Sequence, residues 1–480
     1  MIVKLSDGRS IPIELHRIKI VQKTSLQPID SRFKKILEAG CNTFILQSKD
    51  VFVDMLTDSG TNAMSDNQLA AMMVADDAYA GSESFIRLKQ AVKDVLGFNH
   101  LLPVHQGRAA EHLISRTFIK PGDIVIMNYH FTTSKVHVLF AGGTVEELCI
   151  DEALNTQSSH PFKGNMDIAK LKNSIKKHGR EKIAFIRMEA TTNLLGGQPF
   201  SMENLRKVKE VAEKNQIPLV FDGSLIAENA IFIKRREKGF EKKSVEEIIR
   251  EMMSMVDVFY FSGRKSSSSR GGILATNDKK IFDRIAPLLP VFEGFFTYGG
   301  MSSKEMEAMA VGIREMADDD VAGGVLDFVQ FFVKKCIEEK IPVVTPAGGL
   351  ACHVDAKLFL PHIPQFQYPA GALAAAFFLI SGVRGMERGT ISMERNKDGS
   401  EAFADIELLR LAVPRRVFTV SHVEFSVDRL KWLLKHRDIV GGLKFFEEPP
   451  VLRFFVGRLK PIGPWMERLS EKFKKDFGEV

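Results

Sequence analysis

The chain has 480 residues, 45% of them hydrophobic and 26% charged, which is typical of a soluble globular protein with two or three domains. Lys and Arg (66) exceed Asp and Glu (60) by only six charges, so the charge balance does not indicate nucleic acid or a membrane as a partner. Four scattered cysteines exclude a disulfide framework, and we expect a reduced, cytoplasmic protein with no metal site.

The first 56 residues show no uninterrupted apolar run of the kind found in a secretory signal. We expect them to form an N-terminal arm that packs with a small C-terminal domain. From residue 57 to 320, short β-branched runs alternate with charged helical stretches, which is typical of βαβ units and a mostly parallel sheet. The predicted strands are 123–127, 143–148, 182–187, 217–222, 256–262 and 272–276, and helices are predicted over 202–214 and 244–255.

Residues 321–480 predict a smaller α+β domain. A helix is expected over 326–340, a Gly/Arg/Glu-rich loop over 381–396 and a strand over 407–414. The apolar run 370–383 is too short to span a bilayer and predicts a buried helix. The final helix, from Pro464, places four apolar residues on one face, which favours docking on the body or on a neighbouring subunit over a membrane anchor; they are Trp465, Leu469, Phe473 and Phe477.

A lysine follows the apolar strand 256–262, in the sequence Ser262-Gly-Arg-Lys265. The carboxyl ends of strands in an open α/β sheet are where such sheets bind ligands. Partial desolvation beside Arg264 would lower the pKa of Lys265 and suit it to imine formation. On this motif alone, a solvated loop lysine is the favoured alternative.

Three further motifs point to the same chemistry. Asp222 ends another strand, and a strand-end aspartate followed by a distant strand-end lysine is the pattern of pyridoxal-phosphate enzymes, although such an aspartate is more often a cap. The segment 105–108 (His-Gln-Gly-Arg) opens a predicted helix and could bind a phosphate, although Gly-Arg alone is weak evidence. Asn193 lies in a Gly-rich loop, where it could bind a cofactor oxygen or simply form a turn.

Taken together, the motifs resemble those of the β-eliminating lyases of aromatic amino acids, the family of tyrosine phenol-lyase and tryptophanase. The resemblance runs in order from about residue 50 to 457 and is closer to the tyrosine phenol-lyase side. It implies a fold type I pyridoxal-phosphate enzyme, similar to aspartate aminotransferase. The matching segments are 57–61, 77–82, 105–111, 128–133, 191–199, 228–234, 262–265, 292–300, 386–389, 408–416 and 452–455.

The resemblance assigns the cofactor residues position by position. Lys265 would form the Schiff base with pyridoxal 5′-phosphate and remove the Cα proton of the substrate. Asp222 would pair with the pyridine nitrogen and Asn193 with the ring O3′, while Phe131 would stack on the ring. The phosphate would be held by Gln106, Gly107, Arg108 and Ser262.

The resemblance also implies a substrate set. Arg410 would bind the carboxylate of a small amino-acid substrate, and Tyr79 would protonate the leaving carbon if its surroundings lower its pKa. Arg388 discriminates within the family, because an arginine there would bind a phenol hydroxyl together with Thr132. The remaining implied substrate residues are Thr57, Ser59, Tyr298, which neighbouring subunits would supply, and the apolar wall of Phe454 and Phe455.

The expected reaction is therefore the β-elimination of L-tyrosine to phenol, pyruvate and ammonia, by a homotetramer built as a dimer of dimers. The chain departs from the family pattern at several positions: Leu225, Leu350, Phe295, Asp77 and the loop 266–270. These departures leave open β-elimination, β-substitution or transamination of another amino acid, such as tryptophan or cysteine, and also a paralogue without turnover. Asp77 and the Arg270 guanidinium also make dependence on potassium doubtful.

Overall fold

The computed structural model describes residues 1–396 and 398–479, and the chain divides into two compact units. Unit 1 comprises Met1–Asp58, Leu154–Ser159 and the chain from Asp327 onward, and unit 2 comprises Ser59–Ala153 and His160–Leu326. The sequence places residues 154–159 in the large domain, whereas they group here with unit 1.

The strands are short. In chain order they are β1 (Ile2–Lys4), β2 (Ser10–Pro12), β3 (Val53–Asp54), β4 (His100–Val104), β5 (Ile124–Met127), β6 (Thr144–Glu147), β7 (Ile183–Glu189), β8 (Leu219–Asp222), β9 (Val258–Ser262), β10 (Gly272–Thr276), β11 (Ala351–Asp355), β12 (Val383–Arg384), β13 (Met386–Arg388), β14 (Leu408–Ala412), β15 (Leu443–Glu447) and β16 (Arg458–Pro461).

The helices are α1 (Ile29–Glu38), α2 (Asp66–Met72), α3 (Glu83–Leu96), α4 (Gly107–Phe118), α5 (Thr132–Phe140), α6 (Ile168–His178), α7 (Met202–Lys214), α8 (Ile226–Arg236), α9 (Val245–Met253), α10 (Lys279–Ile285), α11 (Leu289–Phe292), α12 (Ser303–Glu315), α13 (Asp319–Glu338), α14 (Ala356–Phe359), α15 (Pro369–Ser381), α16 (Val420–Lys435), α17 (Arg453–Val456) and α18 (Trp465–Phe477). Among the described residues, none of these helices is both long and apolar enough to cross a membrane.

Unit 2 is built on a seven-stranded sheet in the order β4-β10-β9-β8-β7-β5-β6. The strands β5 to β9 run parallel, while β10 is antiparallel to both of its neighbours, so β4 points the same way as the parallel strands. All residues of β5 and β8 are buried, as expected for continuous apolar strands covered by helices on both faces. The six strands and two helices predicted in this region are confirmed.

Helix starts in unit 2 follow ordinary capping chemistry. The hydroxyl of Ser201 accepts the backbone N–H of Asn204 at the start of α7. Ser244 and Glu247 form a reciprocal capping box at the start of α9. These caps fix where each helix begins, and the strands before and after them are thereby held in the register of the sheet.

Unit 1 contains a three-stranded antiparallel sheet in the order β11-β14-β13, and the helix α15. Every residue of α15 is buried, since α1, α16 and α18 pack against it, which confirms the buried helix predicted there. Three residues of the α18 stripe, Trp465, Leu469 and Phe473, are fully buried within the unit, whereas Phe477 is 41% exposed. The stripe therefore docks on the chain's own body.

The loop predicted over 381–396 is wrong in its first half. This segment forms β12, which pairs with β3, and β13, which pairs with β14. Its Gly and charged residues suggested a solvated loop, but the polar groups are buried and paired: Arg384, for example, binds both carboxylate oxygens of Asp54. Tertiary pairing overrides the local composition here.

Candidate active site

The carboxyl ends of β4, β5, β7, β8 and β9 meet at one edge of the unit 2 sheet, because these strands run in the same direction. The last residues of these strands and the segments after them contain all eight predicted cofactor residues, which we call the cofactor group: Gln106, Gly107, Arg108, Phe131, Asn193, Asp222, Ser262 and Lys265. The structure thus brings together at one sheet edge residues that are up to 159 positions apart in the sequence (Lys265 minus Gln106). Open α/β sheets bind ligands at this edge.

Lys265 lies three residues beyond the end of β9, in a turn where it is partly buried. Its Nζ is 5.1 Å from the centroid of the Phe131 ring. Its backbone carbonyl accepts the side-chain amide of Asn62, which fixes the turn. The structure therefore places the reactive amine beside the aromatic ring that was expected to stack on the cofactor.

The segment Gln106–Arg108 leads into α4, whose first residue is Gly107. A Cβ atom at Gly107 would lie 3.1 Å from the Cβ of Ser262, so a glycine allows the start of the helix to approach the end of β9. Burial lowers the pKa of the Arg264 guanidinium, and the charges of Arg270 and Arg108 lower it further. A bound phosphate would relieve this crowding of positive charge beside free helix N–H groups.

Asp222 ends β8 and is 5% exposed. Its Oδ2 accepts the Nη2 of Arg187 at 2.6 Å and the hydroxyl of Tyr260 at 3.1 Å, and its Oδ1 accepts the backbone N–H of Ser224 at 3.0 Å. Sequence analysis missed Arg187 and Tyr260. The available signal was a lone arginine inside the apolar run of β7 and a lone tyrosine inside that of β9.

Two more carboxyl groups lie near this aspartate. Burial raises the pKa of Glu111 to about 7, against the opposing charge of Arg187. Burial also raises the pKa of Glu189, whose Oε1 accepts the backbone N–H of Asn193. Asn193 itself is 1% exposed and begins a single helical turn after β7. The loop expected to approach O3′ is thus held by an acidic side chain of the preceding strand.

Tyr79 and Tyr298 contact each other within unit 2, with ring centroids 5.3 Å apart, and Tyr79 also stacks on Phe295 at 5.3 Å. The condition that the surroundings lower the pKa of Tyr79 is not met in the single chain. The hydrogen bond with Tyr298 raises that pKa, and the Tyr79 ring is 69% exposed. A nearby cation would have had the opposite effect on Tyr79.

Two predicted substrate residues, Thr132 and Ser59, also belong to unit 2. Thr132 is the first residue of α5, directly after Phe131, and is 8% exposed. The backbone carbonyl of Ser59 accepts the Nη2 of Arg264 at 3.4 Å. Arg264 therefore links the segment of Ser59 to the turn that carries Lys265.

In unit 1, the sheet β11-β14-β13 places three basic side chains on one face, which we call the arginine face. Arg410 of β14 is directly opposite His353 of β11 and Met386 of β13. Side chains alternate along a strand, so Arg388, two residues after Met386, shares this face. The predicted residues Arg410 and Arg388 are therefore brought together, with His353 as a neighbour that the sequence did not reveal.

Arg410 is 2% exposed, and its Nη2 donates to the carbonyl of Leu56 at 2.9 Å. Burial lowers the pKa of Arg410, and the nearby Asp58 opposes that shift. Thr57 lies between Leu56 and Asp58 in the chain and is partly buried. Burial, together with Arg410 and Arg388, lowers the pKa of His353 to about 3, so its imidazole is neutral at physiological pH.

Arg388 is not an exposed loop residue: it lies in β13 and is 7% exposed. Its guanidinium carbon lies 5.5 Å from the centroid of the Phe454 ring. Phe454 and Phe455 have centroids 3.8 Å apart, and both contact the ring of Phe44, which the sequence did not single out. The predicted apolar wall therefore exists as a cluster of three phenylalanines beside a buried cation.

The family model described as β-eliminating lyase matches residues 54–428. The chain belongs to the β-eliminating lyase family. It is 48% identical over 451 residues to tyrosine phenol-lyase of Symbiobacterium thermophilum, covering 94% of this chain and 98% of that protein. It is 43% identical over 449 residues to tyrosine phenol-lyase of Nostoc punctiforme, covering 93% and 96%. The predicted family is therefore confirmed.

Solved structures with the same architecture have little sequence similarity to this β-eliminating lyase. Serine palmitoyltransferase of Sphingomonas wittichii matches with a TM-score of 0.57 at 14% identity, covering 81% of this chain and 88% of that one. A Thermus thermophilus aspartate aminotransferase double mutant matches with a TM-score of 0.58 at 13% identity, covering 84% and 95%. The predicted fold type I architecture is confirmed.

Most of the positions at which the chain departs from the family pattern are buried or hydrogen-bonded within the chain. Leu225 is buried at the N-terminal boundary of α8, and Leu350 is buried with a positive φ of 59°. In the loop 266–270, the four serines are buried, and the hydroxyl of Ser266 donates to Glu228 at 2.6 Å. The carboxylate of Asp77 accepts the hydroxyl of Ser303 at 2.9 Å. The hydroxyls of Ser266, Ser267 and Ser269 and the carboxylate of Asp77 are thus bound by the chain's own residues, whereas the buried hydroxyl of Ser268 has no hydrogen-bond partner among the described residues.

Proposed function

We propose that this chain is a pyridoxal-phosphate-dependent lyase that converts L-tyrosine to phenol, pyruvate and ammonia. The observation that carries the proposal is its near full-length similarity to proteins named tyrosine phenol-lyase, 48% identical over 94% of the chain. The buried Arg388 beside Phe454 supports the phenol as leaving group, since a guanidinium binds a phenolic oxygen and aromatic rings pack on the phenol ring.

The cofactor group has the chemistry that pyridoxal phosphate requires. The α4 start, Arg108 and Ser262 would hold the phosphate, Phe131 would cover the ring, and Asp222 would accept a hydrogen bond from the ring nitrogen. When bound, the cofactor supplies an electron sink for the bonds to Cα of an amino acid. Lys265 would carry the aldehyde and then take the proton from Cα, which its partly buried position beside Phe131 favours.

The substrate would be oriented by two arginines. Arg410 would bind the carboxylate, because a buried guanidinium gains most from an anion that offsets its desolvation. Arg388 would bind the phenolic oxygen, while Phe454 and Phe455 would pack on the ring. The family resemblance also assigns Thr132 to that oxygen. Thr57 and Ser59 would contact the substrate near its carboxylate.

Tyr79 would donate the proton that the leaving ring carbon takes up. The phenol is protonated at neutral pH, which is the form a general acid requires, although the contact with Tyr298 raises its pKa and does not itself favour the transfer. Tyr298 would position this hydroxyl through their shared hydrogen bond. We also propose a cytoplasmic homotetramer. Two apolar side chains shortly before Tyr79 in the sequence are exposed, Met73 by 83% and Val74 by 69%. Exposed apolar side chains of this kind support a subunit contact at this segment.

The test is the activity of the purified protein with L-tyrosine. We expect equimolar phenol and pyruvate, and a cofactor absorption band that disappears in Lys265→Ala. Arg284→Ala, a matched change of an exposed basic residue on α10, should keep both. The absence of pyruvate from tyrosine, with the cofactor band present, would refute the proposed substrate.

A second candidate is the same cofactor chemistry on another amino acid. Leu225 and Leu350 favour it, because apolar side chains occupy positions where polar groups are expected beside the cofactor and the substrate. A panel of amino acids that includes tryptophan and S-substituted cysteines separates the two, since a larger kcat/KM for one of these than for tyrosine would support the second candidate.

A further inference from the structure

Arg187 of β7 is the positively charged hydrogen-bond partner of Asp222. The proposed function gives this arginine no role. Arg187 is 2% exposed and lies at the centre of a buried cluster. Its Nε donates to the hydroxyl of Tyr260 at 2.8 Å, its Nη1 to Glu189 at 3.2 Å and its Nη2 to Asp222 at 2.6 Å. The hydroxyl of Tyr260 is also 3.3 Å from Glu111. We call these five residues the arginine cluster.

We propose that Arg187 and Tyr260 are positioning residues, which hold the Asp222 carboxylate in one orientation for the protonated ring nitrogen of the cofactor. The inference rests on the proposed function, in which Asp222 is the partner of that nitrogen. Neither residue needs to touch the cofactor, because each acts through the carboxylate.

The hydrogen bonds of Asp222 support the orientation. An ionised carboxylate has about four lone-pair positions, two on each oxygen. The single proton of the Tyr260 hydroxyl can go to Asp222 at 3.1 Å or to Glu111 at 3.3 Å, and Asp222 is the nearer acceptor. With that proton on the Asp222 side, Arg187 and Tyr260 fill both positions on Oδ2, and the Ser224 N–H fills one on Oδ1. One position therefore remains on Oδ1, and a carboxylate fixed by three donors cannot rotate to present another. A single acceptor held in one direction suits a single N–H donor.

The buried charges support the same role for Arg187. One guanidinium faces three carboxyl groups, Asp222, Glu189 and Glu111, all at most 6% exposed. Burial raises the pKa of Glu111 and of Glu189, and the charge of Lys265 opposes the shift of Glu189. Burial, together with Arg187, lowers the pKa of the neighbouring His130. Asp222 makes the shorter of the two carboxylate contacts of Arg187, at 2.6 Å against 3.2 Å for Glu189, so loss of the guanidinium would remove the closest donor that holds Asp222.

The test compares two ligands of the apo-protein: pyridoxal phosphate and its 1-deaza analogue, in which carbon replaces the ring nitrogen. Both react with Lys265, so the ratio of their dissociation constants isolates the contact with Asp222. We expect the wild-type protein to prefer pyridoxal phosphate, and Arg187→Met to lose about 10-fold or more of that preference, the loss of a charged hydrogen bond. Binding of the analogue should change less than about 3-fold.

Two further variants keep the test decisive if Arg187→Met does not fold. Arg187→Lys retains the charge without the fork, and Tyr260→Phe removes one donor, so each should lose part of the preference. Arg236→Met is the matched arginine control, since its guanidinium lies 4.1 Å from the Phe232 ring centroid and donates to Pro161. Tyr368→Phe is the matched tyrosine control, because its hydroxyl donates to Glu401 at 2.7 Å in unit 1. Both controls should keep the wild-type ratio.

The outcomes separate the inference from the proposed function. Failure of the wild-type protein to bind pyridoxal phosphate would refute the proposed function. A wild-type protein that binds both ligands equally would refute the role of Asp222, and the inference with it. A wild-type ratio retained in folded Arg187→Met, or in both Arg187→Lys and Tyr260→Phe, would overturn the inference alone.

Discussion

The cofactor group of unit 2 and the arginine face of unit 1 handle buried charge in opposite ways. In unit 2, the carboxylate expected to meet the cofactor is already bound by the chain's own cation, Arg187. In unit 1, Arg410 and Arg388 share a sheet face with a histidine that stays neutral. Burial lowers the pKa of Arg410, so its charge is maintained at a cost.

The difference separates a cation that closely pairs with a carboxylate from cations that the anion of a substrate would stabilise further. A buried ion pair with good geometry holds its two partners in place and leaves little attraction for a third. Buried cations gathered on one face gain stability when an anion arrives. The arrangement of unit 1 therefore suits the transient binding of a substrate carboxylate, whereas that of unit 2 suits permanent orientation of a cofactor.

The largest effect on activity is expected from a substitution of Arg410 on the arginine face. For Arg410→Met we expect kcat/KM with tyrosine to fall on the order of 10³-fold, since one partner of a buried charge pair with the substrate is lost. We also expect the melting temperature to fall by only a few degrees, because the carbonyl of Leu56 and the carboxylate of Asp58 lose a partner while the burial cost of one cation is removed. Steady-state kinetics and calorimetry measure the two effects.

Arg410→Lys is the control for charge without the planar fork, and its loss of kcat/KM should be smaller. A fall in the melting temperature of Arg410→Met in proportion to its loss of activity would assign Arg410 to the fold and remove the distinction drawn between the two units.

The second expected effect is on substrate choice. Arg388→Met should lower kcat/KM for tyrosine on the order of 10²-fold, since a charged hydrogen bond to the phenolic oxygen is removed. An S-alkyl cysteine has no such oxygen and should lose less than about 3-fold. The ratio of the two kcat/KM values is the measurement, and an equal loss for both substrates would contradict the role of Arg388 in recognising the phenol.

Much of this arrangement could be predicted from the sequence, because apolar periodicity and strand-end polar residues are local signals. The strands β5 to β10 and the positions of Lys265 and Asp222 followed from them. Arg187 did not, because a charge within a strand is informative only when its partners from β8 and β9 are known. The burial of Arg388 was missed for the same reason: the strand β13 exists only through its pairing with β14.

A third prediction concerns stability and pH. Glu387 and Glu407 lie in or beside the strands that carry the arginine face, on β13 and just before β14, and both are buried. Burial, and then the charge of Glu407, raise the pKa of Glu387 to about 8. A carboxyl whose pKa is raised on folding stabilises the fold below its unfolded pKa, and that contribution is lost as the pH rises through the folded pKa.

Wild-type unfolding free energy should therefore fall between about pH 5 and pH 8 by a contribution that Glu387→Gln removes. At pH 8.5 to 9 the variant should be the more stable protein, by a few degrees in melting temperature. Glu152→Gln, in the exposed turn at residues 151–154, is the matched control and should follow the wild type. Parallel melting curves of Glu387→Gln and wild type across this range would show that Glu387 is ionised in the fold.

The smallest expected effect is that of potassium. The Asp77 carboxylate is hydrogen-bonded to Ser303. The Arg270 guanidinium lies close enough to Arg264 to lower the pKa of that arginine, so the loop 266–270 already contributes a positive charge of its own. A further cation beside this loop would meet repulsion from two guanidinium groups. Exchange of potassium for tetramethylammonium at constant ionic strength should then change kcat/KM by less than about 2-fold.

The double variant Asp77→Glu with Arg270→Asn lengthens the acid and removes one positive charge. Its kcat/KM should depend more strongly on potassium than that of the wild type. Strong activation of the wild type by potassium would show that the charge of Arg270 is directed away from the site, and that the cofactor group depends on an ion that its own arginines do not replace.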